Sequence, residues 1–359
     1  MFSHRIWDRL LPGVVSGVLV FSLVPGPGAA WDVIFATSLP PAQTGVPAGA
    51  ANLTFVRVFS SADDVRAFHP LLNETLNIIA GPADPATRVD ALQAPSAVAT
   101  DSRHRVFVAD PGAKTVHVFD FNHSKYSRLE GSGDRLHTPI ALSVDGHDNL
   151  YVIDMSSRTV LVYDPAGKFR RYFGKLRGGE SYFESPVGIT IDRATGRIYV
   201  CDRQGHMIFV MDGRGNLIRK LGNRGGGEGP GEFRLPSQIV VAGSELFVID
   251  SGNRRIQVLD TEGHFLRAIP LGYADRHAGL AVDKQVNIYV SDPDLNQIQA
   301  FDHEGQTLYR FDPGTIKGAT FSHPSGMWID ASGGLYVVDS QNNRVGLFQI
   351  KAEKSLRTH

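Results

Sequence analysis

The chain has 359 residues, with 36 Lys and Arg against 37 Asp and Glu, and a formal net charge of −1 at pH 7. This balance argues against a general binder of nucleic acids or membrane surfaces, because both are anionic and attract basic proteins. The single cysteine, Cys201, excludes an intrachain disulfide, and its position in an apolar stretch predicts a buried thiol.

The N-terminal 30 residues have the pattern of an export signal. A basic start (residues 4–9) precedes an apolar stretch from Leu10 to Val24 and the small residues Gly28-Ala29-Ala30. The stretch is short for a membrane span, so it predicts a signal peptide over residues 1–30 and a periplasmic or extracellular protein. An uncleaved anchor helix is the alternative. Residues 31–52, rich in Pro, Ala and Gly, predict a flexible tether.

A short sequence motif then occurs six times, and each copy predicts a strand ending in Asp, a turn and a second strand. The copies are VFVADPGAKTVHVFD from Val106, LYVIDMSSRTVLVYD from Leu150, IYVCDRQGHMIFVMD from Ile198, LFVIDSGNRRIQVLD from Leu246, IYVSDPDLNQIQAFD from Ile288 and LYVVDSQNNRVGLFQ from Leu335. An all-strand repeat of roughly 40–50 residues is typical of a β-propeller. The sequence therefore predicts an all-β, six-bladed β-propeller of four-stranded antiparallel blades over residues 53–350, with a tail at 351–359.

Each repeat begins with an apolar strand whose third residue is tiny in five of the six copies. These residues are Ala97, Ala141, Gly188, Gly279 and Gly326, with Gln238 as the exception. Tiny residues allow backbones to approach closely, so this strand is predicted to lie innermost, beside the central axis.

The strand-ending Asp residues precede the third strand by a constant spacing, which predicts one fixed loop geometry. They are Asp110, Asp154, Asp202, Asp250, Asp292 and Asp339. Asp suits such a loop because its carboxylate accepts backbone N–H groups and pairs with loop Arg residues. This structural role explains all six copies without a metal.

The sixth repeat has no fourth strand after Ile350. The segment LTFVRVF (Leu53–Phe59), which precedes the first full repeat, has the character of one. We expect it to pair with the sixth sheet and close the ring, which also removes an exposed sheet edge.

The repeats resemble those of NHL-repeat propellers, because their shared pattern runs in the order Pro-x-Gly-apolar-x-apolar-Asp, IYVxD, xNxR-apolar-xVFD and FLRxFG. The resemblance is greatest in LFVIDSGNRRIQVLDTEGHFLRAI from Leu246. The resemblance covers residues 95–350 and implies a scaffold whose known roles include protein interaction, RNA binding in eukaryotic members and a zinc-dependent amidating lyase. Related propellers include lactonases and a streptogramin lyase. The charge and the export signal argue against RNA.

The loops between second and third strands are the predicted binding surface for a partner. The candidate residues are Arg158, Arg203, His206, Arg254, Arg255, Arg344 and Gln238. In NHL repeats a loop Arg often pairs with the strand-ending Asp. Asp250 can hold only one of Arg254 and Arg255, so the other is expected to face solvent.

The function predicted from sequence is a monomeric, exported propeller that binds a protein or peptide partner, without a cofactor, nucleic acid or membrane span in the mature chain. The alternative is a metal-dependent lyase or hydrolase at the channel mouth, using zinc or calcium. Its candidate ligands are His137, His277 and His323, which all lie near the starts of innermost strands.

Overall fold

The computed structural model describes residues 53–66, 90–129, 136–272, 278–312 and 319–351. The predicted signal peptide, the tether and residues 352–359 of the predicted tail lie outside the described residues, and so does His277.

The described residues form six sheets of four antiparallel strands, which confirms the predicted six-bladed propeller. The innermost strands are β2 (Ala97–Thr100), β6 (Pro139–Val144), β10 (Pro186–Ile191), β14 (Pro236–Ala242), β18 (Leu280–Val282) and β22 (Pro324–Ile329). The second strands are β3 (Val106–Asp110), β7 (Leu150–Asp154), β11 (Ile198–Asp202), β15 (Glu245–Asp250), β19 (Ile288–Asp292) and β23 (Gly334–Asp339).

The outer half of each sheet completes the blade. The third strands are β4 (Thr115–Asp120), β8 (Thr159–Tyr163), β12 (Met207–Met211), β16 (Arg255–Asp260), β20 (Gln297–Phe301) and β24 (Arg344–Ile350). The fourth strands are β5 (Lys125–Arg128), β9 (Phe169–Phe173), β13 (Leu217–Gly222), β17 (Phe265–Pro270), β21 (Thr307–Phe311) and, in blade 6, β1 (Leu53–Phe59). One short α-helix, α1 (Asp63–Arg66), and 3-10 turns at Ser251–Asn253 and Ser340–Asn342 complete the described elements.

The antiparallel order of each blade gives the propeller two rims. The first rim carries the starts of the innermost strands and the loops from second to third strands. The second rim carries the loops from innermost to second strands and the turns from third to fourth strands. Among the described residues, the site residues predicted from sequence lie at the first rim, in its loops or, for Arg255 and Arg344, at the start of a third strand; Gln238 lies inside β14.

The core consists of six apolar clusters, each shared by two neighbouring blades. Along β7, Leu150 and Val152 pack with blade 1, whereas Tyr151 and Ile153 pack with blade 3. Successive side chains of a strand point to opposite faces, and both faces of this strand are covered. The second strands therefore read as continuous apolar runs rather than as alternating patterns.

The tiny residues of the innermost strands lie where adjacent strands come close together, as the sequence predicts. A Cβ atom added to Gly279 would collide with the carbonyl oxygen of Ser325 in the next blade, and one added to Gly326 would collide with that of Ser96. At Gly279 and Gly326 the neighbouring innermost strands thus approach so closely that a larger side chain would collide with backbone.

The N-terminal strand closes the ring, which confirms the predicted closure. β1 pairs antiparallel with β24, from Leu53 opposite Ile350 to Phe59 opposite Val345. Phe59 is buried between blade 6 and blade 1, with its ring centroid 5.0 Å from that of Phe119 and 5.1 Å from that of Phe121. One strand therefore joins the first blade to the last through hydrogen bonds on one side and aromatic packing on the other.

This closure predicts unequal effects of two truncations on the same strand. Phe59→Ala removes a buried ring and should lower the free energy of unfolding by about 3–5 kcal/mol. Val56→Ala, at a position that is 50% exposed, should change it by less than about 0.5 kcal/mol. Chemical denaturation of both variants makes the comparison, and similar losses would contradict a closing role for β1.

Candidate functional site

A buried carboxylate organises every loop of the first rim. Asp110 accepts the backbone N–H groups of Gln93 (2.7 Å) and Ala94 (3.0 Å), which precede β2, and that of Ala113 (3.0 Å) in the following loop. Asp154 accepts the N–H groups of His137, Thr138 and Ser157 in the same way. Asp202, Asp250 and Asp339 likewise join the start of their blade to the loop after the second strand, which confirms the predicted structural role. Asp292 bonds its own loop and third strand within the described residues.

Blade 1 adds a histidine to this arrangement. His117, fully buried, places Nε2 3.4 Å from Oδ2 of Asp110 and Nδ1 2.8 Å from the hydroxyl of Tyr126. Burial alone would raise the pKa of Asp110, but the neighbouring His117 and the hydrogen bonds from the amides of Gln93 and Ala113 outweigh it and hold that pKa below its ordinary value. Asp110 is therefore held as a carboxylate inside the blade.

The loops end in a left-handed residue in all six blades. The residue four positions after each Asp has a φ between 50° and 55°; these residues are Lys114, Arg158, His206, Arg254, Asn296 and Asn343. A residue other than glycine pays roughly 1–2 kcal/mol for this conformation, and Asn tolerates it best. The constant spacing seen in the sequence thus corresponds to one backbone conformation.

Arg254 and Arg255 have the different environments that the sequence predicts for them. Arg255 donates from Nε to Oδ2 of Asp250 at 2.9 Å and from its terminal nitrogen to the carbonyl oxygens of Gly229 and Glu232. Arg254 occupies the left-handed position and is exposed, with no side-chain partner among the described residues. Asp250 therefore holds Arg255 and leaves Arg254 to solvent.

The other candidates on the first rim divide in the same way. Arg344 is held by Asp339 (2.7 Å) and by the carbonyl oxygen of Thr320. His206 accepts the N–H of Leu235 through Nδ1 at 3.0 Å. Arg158 is exposed, and no partner of its side chain occurs within the described ranges. Arg203 is half-buried and takes part in an interaction of its own.

The three histidines predicted as metal ligands are only partly described. His137 is exposed, and its backbone N–H donates to Asp154. His323 donates its N–H to the side chain of Asn296 and has a buried Nδ1. His277 lies outside the described residues, and within the described part of the chain no group of three or more His, Cys, Asp or Glu side chains could hold a metal ion.

Near the axis lies a cavity of about 780 Å³ that all six innermost strands line. Its lining runs from Ala97, Ala141, Gln238 and Gly326 to exposed residues of the second rim, such as Arg193 and Lys284. The cavity therefore opens at the second rim, opposite to the rim that sequence reasoning singled out. Its volume falls within the usual range for small-molecule sites.

The carboxylates at the mouth of this cavity are already hydrogen-bonded. Asp283 accepts the N–H groups of Gln285 and Asn287 through one oxygen, and the side chains of Asn287 and Tyr289 through the other. Asp101, Asp192 and Asp330 make the equivalent local bonds. These four residues shape the loops between innermost and second strands.

Two polar side chains deeper in the cavity have no such partners. Ser143 is only 2% exposed and lines the cavity, and its hydroxyl makes no hydrogen bond with the described residues. Gln238, half-buried in the same wall, likewise has no side-chain partner in the described part of the chain. Sequence reasoning noticed Gln238 as an exception in a row of tiny residues, but it had no signal for Ser143.

Cys201 lies in β11 and is fully buried, as predicted. Burial raises the pKa of the thiol well above its ordinary value, and the nearby Asp202 and Asp250 add to the effect. A neutral thiol in a blade interior is a packing group rather than a nucleophile.

Comparisons with known proteins agree on the fold. A family model described as a 6-bladed beta-propeller, DUF5128, matches residues 187–300. No curated protein matches the chain.

Among solved structures, a streptogramin B lyase is 13% identical with a TM-score of 0.54, covering 75% of this chain and 96% of its own. XC5397 from Xanthomonas campestris, described as a gluconolactonase, is 15% identical with a TM-score of 0.57, covering 72% and 86%. A nidogen/laminin complex is 17% identical with a TM-score of 0.50, covering 60% and 79%. At these identities the likeness establishes the propeller fold alone. In the described part of the chain, no helix is long and apolar enough to cross a membrane.

The two neighbouring arginines predict a pair of contrasting variants. Arg255→Ala leaves Asp250, which is fully buried, without its charged partner and should lower the free energy of unfolding by about 1–3 kcal/mol. Arg254→Asn places in blade 4 the residue type that blades 5 and 6 already use at this position, so the stability should stay within about 0.5 kcal/mol of the parent. Urea denaturation distinguishes them, and a larger loss for Arg254→Asn would contradict the assignment.

Proposed function

We propose that this protein is an exported binding scaffold of the NHL-repeat type, whose first rim engages an acidic segment of a protein or peptide partner. The observation that carries the proposal is an arc of three exposed cations, Lys114, Arg158 and Arg254. They share one left-handed loop position in blades 1, 2 and 4, and none has a side-chain partner among the described residues.

The loops beneath this arc are fixed by the protein itself. Each is held by a buried Asp that bonds both the loop and the start of the innermost strand, as for Asp110 and Asp154. A preorganised surface loses less conformational entropy when a partner binds, so more of the contact energy appears as affinity. Arginine is also enriched among residues that dominate the energy of protein interfaces.

The arc covers one side of the ring. Blades 5 and 6 carry Asn296 and Asn343 at the corresponding position, and blade 5 exposes Asp294 in the same loop. An acidic segment would therefore lie over blades 1 to 4, where His206 of blade 3 continues the arc, and away from Asp294. The protein–protein complex among the structural neighbours is consistent with such use of a propeller.

The binding proposal is tested with a fluorescently labelled poly-glutamate peptide and the triple variant Lys114→Asn/Arg158→Asn/Arg254→Asn. Each substitution places a residue type already present at the same position in blades 5 and 6, so the fold should be retained. Three exposed ion pairs at up to about 1 kcal/mol each correspond to a loss of affinity of about tenfold or more.

The matched control removes three exposed cations from the second rim, in the variant Arg103→Asn/Lys168→Asn/Arg193→Asn. Fluorescence anisotropy should show less than about a twofold change for this control, at the same net charge as the test variant. Equal losses for the two triples would indicate general charge attraction and would overturn a site on the first rim.

Export forms a separate part of the proposal and rests on the apolar stretch from Leu10 to Val24 followed by small residues. When the full chain is expressed in a bacterial host, the mature protein should begin at or near Trp31 and be recovered outside the cytoplasm. N-terminal sequencing of the fractionated protein checks this. An intact Met1 in the soluble cytosolic fraction would refute it, and an intact Met1 in the membrane fraction would indicate the anchor helix instead.

The second candidate function is a metal-dependent lyase or hydrolase. Two structural neighbours, described as a streptogramin B lyase and a gluconolactonase, suggest it. His137, His277 and His323 remain its proposed ligands, with zinc or calcium as the metal. Elemental analysis of untagged protein decides between the two candidates: stoichiometric metal that is lost in His277→Ala would favour the enzyme.

A further inference from the structure

The axial cavity carries an inference that is independent of the first rim. We propose that it binds an uncharged, largely apolar small molecule that carries a hydrogen-bonding group on one side. The cavity has a volume of about 780 Å³, and the exposed residues that line it, such as Arg193 and Lys284, belong to loops of the second rim. A partner on the first rim and a small molecule in this cavity would therefore occupy opposite ends of the axis.

The walls decide the apolar character of the ligand. Apolar side chains of all six innermost strands line the cavity; they include Leu142, Ile191, Val240, Val282, Met327 and Trp328. Val240, Val282 and Trp328 are only partly buried, so they present apolar surface to the cavity. Covering such surface with an apolar ligand is favourable in proportion to the area removed from water.

Two side chains of the cavity wall, Ser143 and Gln238, lack hydrogen-bond partners in the described part of the chain and indicate that the ligand carries a hydrogen-bonding group. The hydroxyl of Ser143 in blade 2 and the amide of Gln238 in blade 4 line the cavity without hydrogen bonds to the described residues. Between them, in blade 3, Thr190 accepts the N–H of Val241 through its hydroxyl oxygen at 3.2 Å. Polar groups in protein interiors normally have partners, so these offer a ligand both donors and an acceptor along one arc of the wall.

The charge of the ligand is limited by the mouth. The carboxylates of Asp101, Asp192, Asp283 and Asp330 line the cavity near its opening. They would repel an anion, and their local hydrogen bonds leave little capacity to bind a cation. The cations of the mouth are exposed, and Lys284 already donates to the carbonyl oxygen of Ala331 at 2.7 Å. An uncharged ligand fits this environment better than either ion.

The test uses 1-anilinonaphthalene, an uncharged dye that fluoresces in apolar surroundings, with the full-length protein. The dye should bind with enhanced emission, and its 8-sulfonate, which has the same rings and a negative charge, should bind about tenfold more weakly. The variant Ala194→Tyr/Ala331→Tyr narrows the mouth from blades 3 and 6, on opposite sides of the ring. Both alanines are exposed and line the opening, so the fold should be retained while dye affinity falls about tenfold.

The control variant, Ala166→Tyr/Gln306→Tyr, adds the same side chains to exposed turns of the second rim that do not line the cavity. It should bind the dye as the parent does. Equal dye binding by the parent and the narrowed variant would place the dye on the outer surface and overturn the proposal. An equal loss of dye affinity in the two Tyr variants would also overturn the proposal.

The hydrogen-bonding arc is tested by displacing the dye with 1-naphthol and with naphthalene, which differ by one hydroxyl group. Gln238→Leu keeps the side-chain volume but removes the amide. This variant should lower the affinity for 1-naphthol about fivefold, which corresponds to the loss of one net hydrogen bond. The affinity for naphthalene should stay the same or increase. A loss that is equal for both compounds would mean that Gln238 only supports the wall, and this part of the proposal would fail.

Discussion

The buried carboxylate at the end of each second strand is the contact on which the rest of the propeller depends. The chain must turn at this point from the second strand to the third, while the preceding linker arrives beside it to begin the innermost strand. Both segments present backbone N–H groups that the sheet does not bond. One Asp satisfies them together, as Asp202 does for Glu184, Ser185 and Gly205. Because unpaired buried amides are costly, Asp110 and Asp154 repeat this solution in blades 1 and 2. In blades 4 and 6 the Asp accepts an N–H group from the incoming segment and bonds the loop through the side chain of Asn253 or Asn342.

This backbone-centred solution frees the next side chains to differ. Once the Asp has fixed the loop, the left-handed residue contributes its backbone to the turn. Its side chain faces solvent in blades 1, 2 and 4, whereas His206 and Asn296 accept backbone N–H groups in blades 3 and 5. The six blades accordingly carry Lys, Arg, His, Arg, Asn and Asn at one position. A constant loop with a variable outward residue is the arrangement in which a rigid scaffold presents a binding surface. Asp250 and Asp339 each hold one Arg, and the loops of blades 4 and 6 form 3-10 turns but end in the same left-handed position as the others.

The regular features could be predicted from sequence because each blade repeats them. Six copies of one spacing reveal the Asp loops, and the unpaired sixth blade reveals the closing strand at Leu53–Phe59. The pairing of Arg255 rather than Arg254 was also within reach, since Arg255 is the first residue of its strand and lies opposite Asp250 in register. The cavity was not within reach. An apolar residue in an innermost strand looks the same whether its side chain packs against a neighbour or borders an empty space, and only the three-dimensional arrangement distinguishes the two.

Blade 4 shows how departures from a repeat point to a site. Its innermost strand has Gln238 where five blades have Gly or Ala, and it ends in Ala242 where the other five have Asp. Both residues line the axial cavity. Without the Asp, the loop to the second strand shortens to Gly243 and Ser244, and Val240, Val241 and Ala242 stay partly exposed toward the axis. Regularity in the other blades accounts for folding, so the two exceptions in blade 4 are best explained by what they expose: an apolar strip and one amide group at the wall of the same cavity.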